Sequence, residues 1–279
     1  MRTLGWWTGI FVTILGAAGF AVAVSSKHRS EALWPVWATL AVGLCIAAGL
    51  VAAHGLRSWH DLSREQPLPW RTTVLPTAAM GIGVLLVLAA GELFAEHPGS
   101  GWRGDVLVVL ALTGGSFAGA AMFGVRTAAA TRAVPSGEDI VGFEADILQL
   151  IALRRLLQRL SSGLGSLVAL STLALGAGVL LSKNLPRELV VTFGAGGSAL
   201  VGLFYAPAAA AIRGRGERLA NLIFAITKPD DVAELIDQIE RRSKLEQLMG
   251  LDRTLLGDLQ SAIPILGPLI AAAAIFLPK

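Results

Sequence analysis

Apolar residues fall in blocks of about 20, broken by short polar stretches, along most of the chain. The blocks are Leu4–Val24, Leu33–Ala53, Val74–Phe94, Val106–Val125, Gly163–Ser182 and Leu189–Ile212. A helix of that length crosses the hydrocarbon core of a bilayer, about 30 Å thick. The pattern therefore predicts an all-α, polytopic helical membrane protein with six transmembrane helices. The first block follows Arg2 and ends in Ala21-Val22-Ala23, which imitates a secretory signal, and it is read as an uncleaved span. A last apolar stretch, Ser261–Leu277, contains Pro264, Gly267 and Pro268. It reads as a kinked seventh span, a re-entrant element or a helix buried against the bundle.

Two polar stretches carry helical periodicity of their own. Ser136-Gly137-Glu138-Asp139 supplies an N-cap and acidic first turn, after which Ile140, Phe143, Ile147, Leu150, Ile151, Leu157 and Leu160 recur on one face. This helix is expected to feed into the fifth span, with Gly163 and Gly165 as a flexible joint. Pro229-Asp230-Asp231 starts a second helix with Val232, Leu235, Ile236 and Ile239 on its apolar side, continued by Leu245, Leu248 and Met249. The chain thus divides into a lipid-facing four-helix region (1–125), a cytoplasmic amphipathic helix (126–162) and a Gly-rich transmembrane hairpin (163–212). A cytoplasmic helical region (213–260) and the apolar C-terminal segment (261–279) follow.

Composition agrees. Hydrophobic residues make up 54%, charged residues 15%, and the mean hydropathy is +0.64, against about 25% charged residues in soluble domains. All seven tryptophans lie in the first 102 residues, each near a block end: Trp6, Trp7, Trp34, Trp37, Trp59, Trp70 and Trp102. Indole favours the membrane–water boundary, so these positions read as an interfacial belt. With the N-terminus inside, the inner segments hold seventeen Lys and Arg and the outer loops five. The positive-inside bias then gives an inner-membrane protein with a cytoplasmic N-terminus. Loop charge accounts for the pI near 9.4 without any nucleic-acid signal. The lone Cys45 lies mid-block and reads as an inert thiol.

Enzyme signatures are missing. There is no phosphate-binding Gly-x4-Gly-Lys-Ser/Thr, no His-Glu-x-x-His, no Cys pair and no Gly-x-Ser-x-Gly, so neither an enzyme nor a cofactor is expected. His54, His60 and Asp61 share an inner loop but are too few for a zinc site, and His28 and His97 stand apart. Glu92, a turn from the outer end of the third span, reads as snorkelling towards water. Glycine is concentrated at Gly115 and Gly119 in the fourth span, Gly163, Gly165, Gly176 and Gly178 in the fifth, and Gly194, Gly196, Gly197 and Gly202 in the sixth. Such residues permit close helix approach in lipid.

Without a Trp belt, spans five and six read as a protected centre, as in a homo-oligomer. Ser162, Ser166, Ser171, Thr172, Thr192 and Ser198 are then candidate pore-lining residues, against the plainer reading that each bonds back to its own helix. Arg213-Gly214-Arg215-Gly216-Glu217-Arg218 suggests an anion-binding concavity, with Arg154, Arg155 and Arg159 nearby. The candidate set Arg154, Arg155, Arg159, Arg213, Arg215 and Arg218 serves equally for lipid headgroups or an anionic, nucleotide-like ligand. The expected function is an ion channel or pore gated by its cytoplasmic helices, a layout shared by analogy with small bacterial effector channels. The alternatives are a non-conducting membrane-anchored regulator or assembly subunit recruiting a soluble partner, and a permease subunit.

Overall fold

The computed structural model describes residues 2–26, 29–65, 67–71, 73–79, 81–82, 102–131, 140–181, 188–224, 232–249, 251, 267 and 270. These form helices α1 (Arg2–Val24), α2 (Trp34–Glu65), α3 (Trp102–Thr131), α4 (Ile140–Leu181), α5 (Glu188–Ile223) and α6 (Val232–Met249), with further helical residues within 70–82 and no strand among them. Four helices, α2 to α5, are long and apolar enough to cross a membrane, and α1 adds a shorter apolar helix, Gly9–Val24. The third apolar block is described only as far as Ile82. The N-cap at Ser136–Asp139, the helix start at Pro229–Asp231, most of Ser261–Leu277, and Glu92, His28 and His97 lie outside the described residues.

The helices exceed the apolar blocks that predicted them. At 1.5 Å per residue, the 42 residues of α4 span about 63 Å and the 36 of α5 about 54 Å. Each continues from an apolar half into a charged half with no break in the helix. α4 runs straight through Gly163 and Gly165, so the expected joint is absent. The residue at 163 serves packing instead, since a Cβ there would stand 3.4 Å from Val51 Cγ2 on α2.

Backbones approach most closely where α2 crosses α3. A Cβ at Gly55 would fall 2.5 Å from the backbone nitrogen of Ala118, and one at Gly114 2.5 Å from the carbonyl oxygen of Ala48. The two backbones are in contact at both positions, which only glycine allows and which replaces the missing hydrophobic drive in lipid. One core cluster joins α1, α2, α3 and α4 through Leu15, Leu44, Cys45, Ala48, Leu107 and Leu167. A second joins α2 to α6 at the charged side through Leu62, Met122, Leu157, Phe204, Leu219 and Met249.

Contacts between helix ends place them on two sides. Arg103, at the start of α3, donates to the Ser25 carbonyl at 2.7 Å just past α1, and Gly178 of α4 abuts the indole of Trp37. On the other side the last residues of α2 meet the first turns of α4, and α5 meets the end of α3. Trp37 sits in the core, 7% exposed, whereas Trp70 and Trp102 are exposed.

Candidate functional site

The charged half of the bundle is organised around one buried ion pair. Arg215 of α5 donates to Asp146 Oδ2 of α4 at 2.7 Å, with the side chains 3% and 2% exposed. Its other terminal nitrogen reaches the carbonyl oxygen of Ala129, one of the last carbonyls of α3, at 3.4 Å. Carbonyls in the last turn have no partner in their own helix, so the guanidinium answers one of them while it pairs with the carboxylate. Three helices are stapled together by one side chain. The charge at Arg215 is thus already neutralised inside the protein and is not presented to headgroups or a soluble anion.

The surrounding Arg-Gly alternation is helix, not a phosphate-binding turn. Residues 213–218 lie within α5, where backbone N–H groups are committed to the helix and form no concavity. Gly216 makes room for Leu251, whose Cδ2 would be 2.9 Å from an added Cβ. Arg218 is exposed and its Nε donates to the Gly214 carbonyl one turn back. Arg213 is half-buried. Arg154 donates to the Met249 carbonyl at 2.6 Å, capping the end of α6. Arg155 and Arg159 are exposed on α4. The six arginines do not converge on one ligand.

Helix α6 folds back over this half. Leu245 and Met249 pack into the core cluster, and Arg242 bonds Asn221 Oδ1 of α5 at 2.8 Å. Ile236, Ile239 and Leu248 are left exposed. Of the apolar stripe predicted for α6, Leu245 and Met249 are thus covered and Ile236, Ile239 and Leu248 are open.

The six candidate hydroxyls separate in the same way. Ser171 and Thr172 are buried and bond back to the carbonyls of Leu167 and Val168 at 2.9 and 2.8 Å. Thr192 is exposed and bonds back to Glu188 at 3.1 Å. Ser198 is buried, its Oγ without a hydrogen-bond partner among the described residues. Ser162 and Ser166 are exposed. Three of the six are thus exposed and three buried within the chain.

A feature missed in the sequence lies between the charged halves of α2 and α4, which run antiparallel. It is an open cleft of about 770 Å³. His54, Arg57, Asp61 and Glu65 line it from α2, and Gln149, Leu156 and Arg159 from α4. His54 and Asp61 belong to helix α2 and not to a loop, and the described residues hold no metal-binding cluster. His54 lies just past the apolar run that ends at Ala53. Partial burial, and then the guanidiniums of Arg159 and Arg57, lower its pKa from the ordinary 6.5. The residues at 54, 57, 61 and 65 share one face at steps of three and four, a spacing legible in the sequence once α2 is known to extend past residue 53.

Set beside known proteins, the chain matches no family model, no curated protein and no solved structure.

Proposed function

We propose that the chain is a homo-oligomeric membrane channel or pore in which α5 faces the centre of the assembly and the charged half controls opening. The observation that carries this reading is the coverage of α5. Only 28% of its apolar window is buried, against 44–50% for α2, α3 and α4. The open face presents Leu189, Thr192, Gly196, Ala199, Leu203, Ala206 and Ala210, mostly small residues, with Leu189 and Leu203 the large exceptions. Nothing approaches within 4 Å of a Cβ placed at Gly196 or Gly202. Small residues let a helix of a second copy come close, and such a face is better matched to protein than to lipid chains. Of the six candidate hydroxyls, Ser162, Ser166 and Thr192 remain available to a pore wall.

Six spans and a cytoplasmic N-terminus belong to the same proposal. What supports the third span is that Glu65 and Trp102 stand at opposite ends of the bundle. What supports the orientation is the arginine content of the charged half. The test uses Ala199→Cys in a Cys45→Ala background. Oxidation is expected to trap covalent dimers, and the untreated protein to pass ions in liposomes. A monomer in lipid nanodiscs that passes no ions overturns the reading.

One observation favours a second reading, a non-conducting regulator that recruits a soluble partner. It is the exposure of Ile236, Ile239 and Leu248 on α6. In that case Ile236→Ser with Ile239→Ser abolishes co-purification of the partner and leaves the bundle intact.

A further inference from the structure

The cleft between α2 and α4 is polarised along its length. Arg57 and Arg159, with His54, stand at the end nearest the apolar halves, where the blocks stop at Ala53 and begin again at Gly163. Asp61 and Glu65 stand further out, on the next turns of the same face of α2. Among the described residues Arg57, Arg159 and Asp61 make no ion pair and no side-chain hydrogen bond, although an Arg and an Asp four residues apart on one helix are spaced to pair. Elsewhere in the chain such spacing is used, at Asp237–Arg241 and Glu240–Lys244. The wall of the cleft between these charges is apolar, from Leu62, Leu153 and Leu156.

We propose that this cleft binds a phosphate ester carrying an amine, of the phosphoethanolamine type, with the phosphate on Arg57 and Arg159 and the ammonium towards Asp61 and Glu65. Two guanidiniums from different helices offer forked donors to one phosphate, the geometry for which arginine is favoured. One helical turn along, about 6 Å away, Asp61 supplies the opposite charge, with Glu65 a turn further, about 12 Å from Arg57. That separation suits a dipolar headgroup and disfavours a plain anion, which Asp61 and Glu65 repel. The depth of the basic end, at the edge of the apolar halves, is the level at which lipid phosphates lie. The inference concerns binding alone and holds whether or not the assembly conducts ions.

The test uses the full chain in nanodiscs made with phosphatidylethanolamine, phosphatidylglycerol or phosphatidylcholine, and, separately, in detergent with O-phosphoethanolamine. Lipid retained after detergent extraction is counted by native mass spectrometry, and soluble ligand by calorimetry. Wild type is expected to retain phosphatidylethanolamine in preference to phosphatidylglycerol. Arg57→Gln with Arg159→Gln weakens retention by about tenfold or more, the loss expected when two contacts to a charged group are removed. Asp61→Asn with Glu65→Gln removes the preference while phosphatidylglycerol is still retained, and Arg57→Lys with Arg159→Lys restores part of the binding. Arg241→Gln, remote on α6, changes nothing. Retention of phosphatidylethanolamine without binding of O-phosphoethanolamine identifies a membrane lipid as the source. Binding of O-phosphoethanolamine identifies a soluble ligand. Both support the site. Retention that is unchanged by the double arginine substitution, or a wild type that neither prefers the amine-bearing lipid nor binds O-phosphoethanolamine, overturns it.

Discussion

Arg215 and Asp146 meet at 2.7 Å, almost wholly out of reach of solvent, and hold α5 against α4 where both have left the apolar half of the bundle. A pair removed so far from water costs much of what it gains in attraction, so its removal is asymmetric. Asp146→Ala strands the guanidinium and is expected to lower stability by about 3–5 kcal/mol. Asp146→Leu combined with Arg215→Met recovers most of that loss. Thermal unfolding in detergent of the single and the double variant checks both statements.

Gly55 and Gly114 hold the α2–α3 crossing at backbone contact. A leucine at position 55 or a valine at 114 has no space to occupy, and destabilisation of about 1–3 kcal/mol is expected, or more if the helices are forced apart. Gly202→Ala, with open space around it, is the matched control and leaves the melting temperature nearly unchanged.

Arg154 ties the last turn of α6 to α4 through the Met249 carbonyl. Arg154→Ala is expected to cost about 1–3 kcal/mol locally, because a partly buried carbonyl loses a charged donor. Hydrogen exchange then speeds up across Val232–Met249 while α2 and α3 keep their protection.

His54 gives the fold a dependence on pH. Its folded pKa lies below the ordinary 6.5 because of partial burial and the nearby Arg159 and Arg57. The unfolded chain therefore takes up a proton that the folded one refuses, and stability falls as pH drops below about 6.5. Above that value His54 contributes no pH dependence. His54→Gln flattens the acid side of the melting-temperature profile, and Arg159→Gln, by removing one repelling charge, flattens it in part.

The apolar blocks were legible because lipid imposes one rule along a whole span: some 20 consecutive residues without stranded charge. α2, α3, α4 and α5 each contain such a block. Their extensions were not legible, because past the membrane a helix persists on tertiary contacts that no single segment reveals. His54–Glu65 reads as a loop by polarity, yet Leu62 is buried in the core cluster and α2 continues about three turns onward. Arg215 illustrates the same limit. Beside glycines it resembles a phosphate loop, and only the proximity of Asp146, 69 residues away in sequence, turns it into an internal pair. Trp37 sits near a block end like the other indoles, and its burial is decided by Gly178 on a helix far along the chain.

The unbroken course of α4 has a mechanical consequence. A helix without a hinge behaves as a stiff beam, and at about 63 Å a tilt of about 5° displaces one end by about 5 Å relative to the other. Nothing at Gly163 or Gly165 absorbs such a movement, since those glycines are enclosed in a continuous helix. A push on the charged end, near Asp146 or Arg154, is therefore carried along the helix towards Leu181. The two sides of the bundle are thereby joined through one continuous helix.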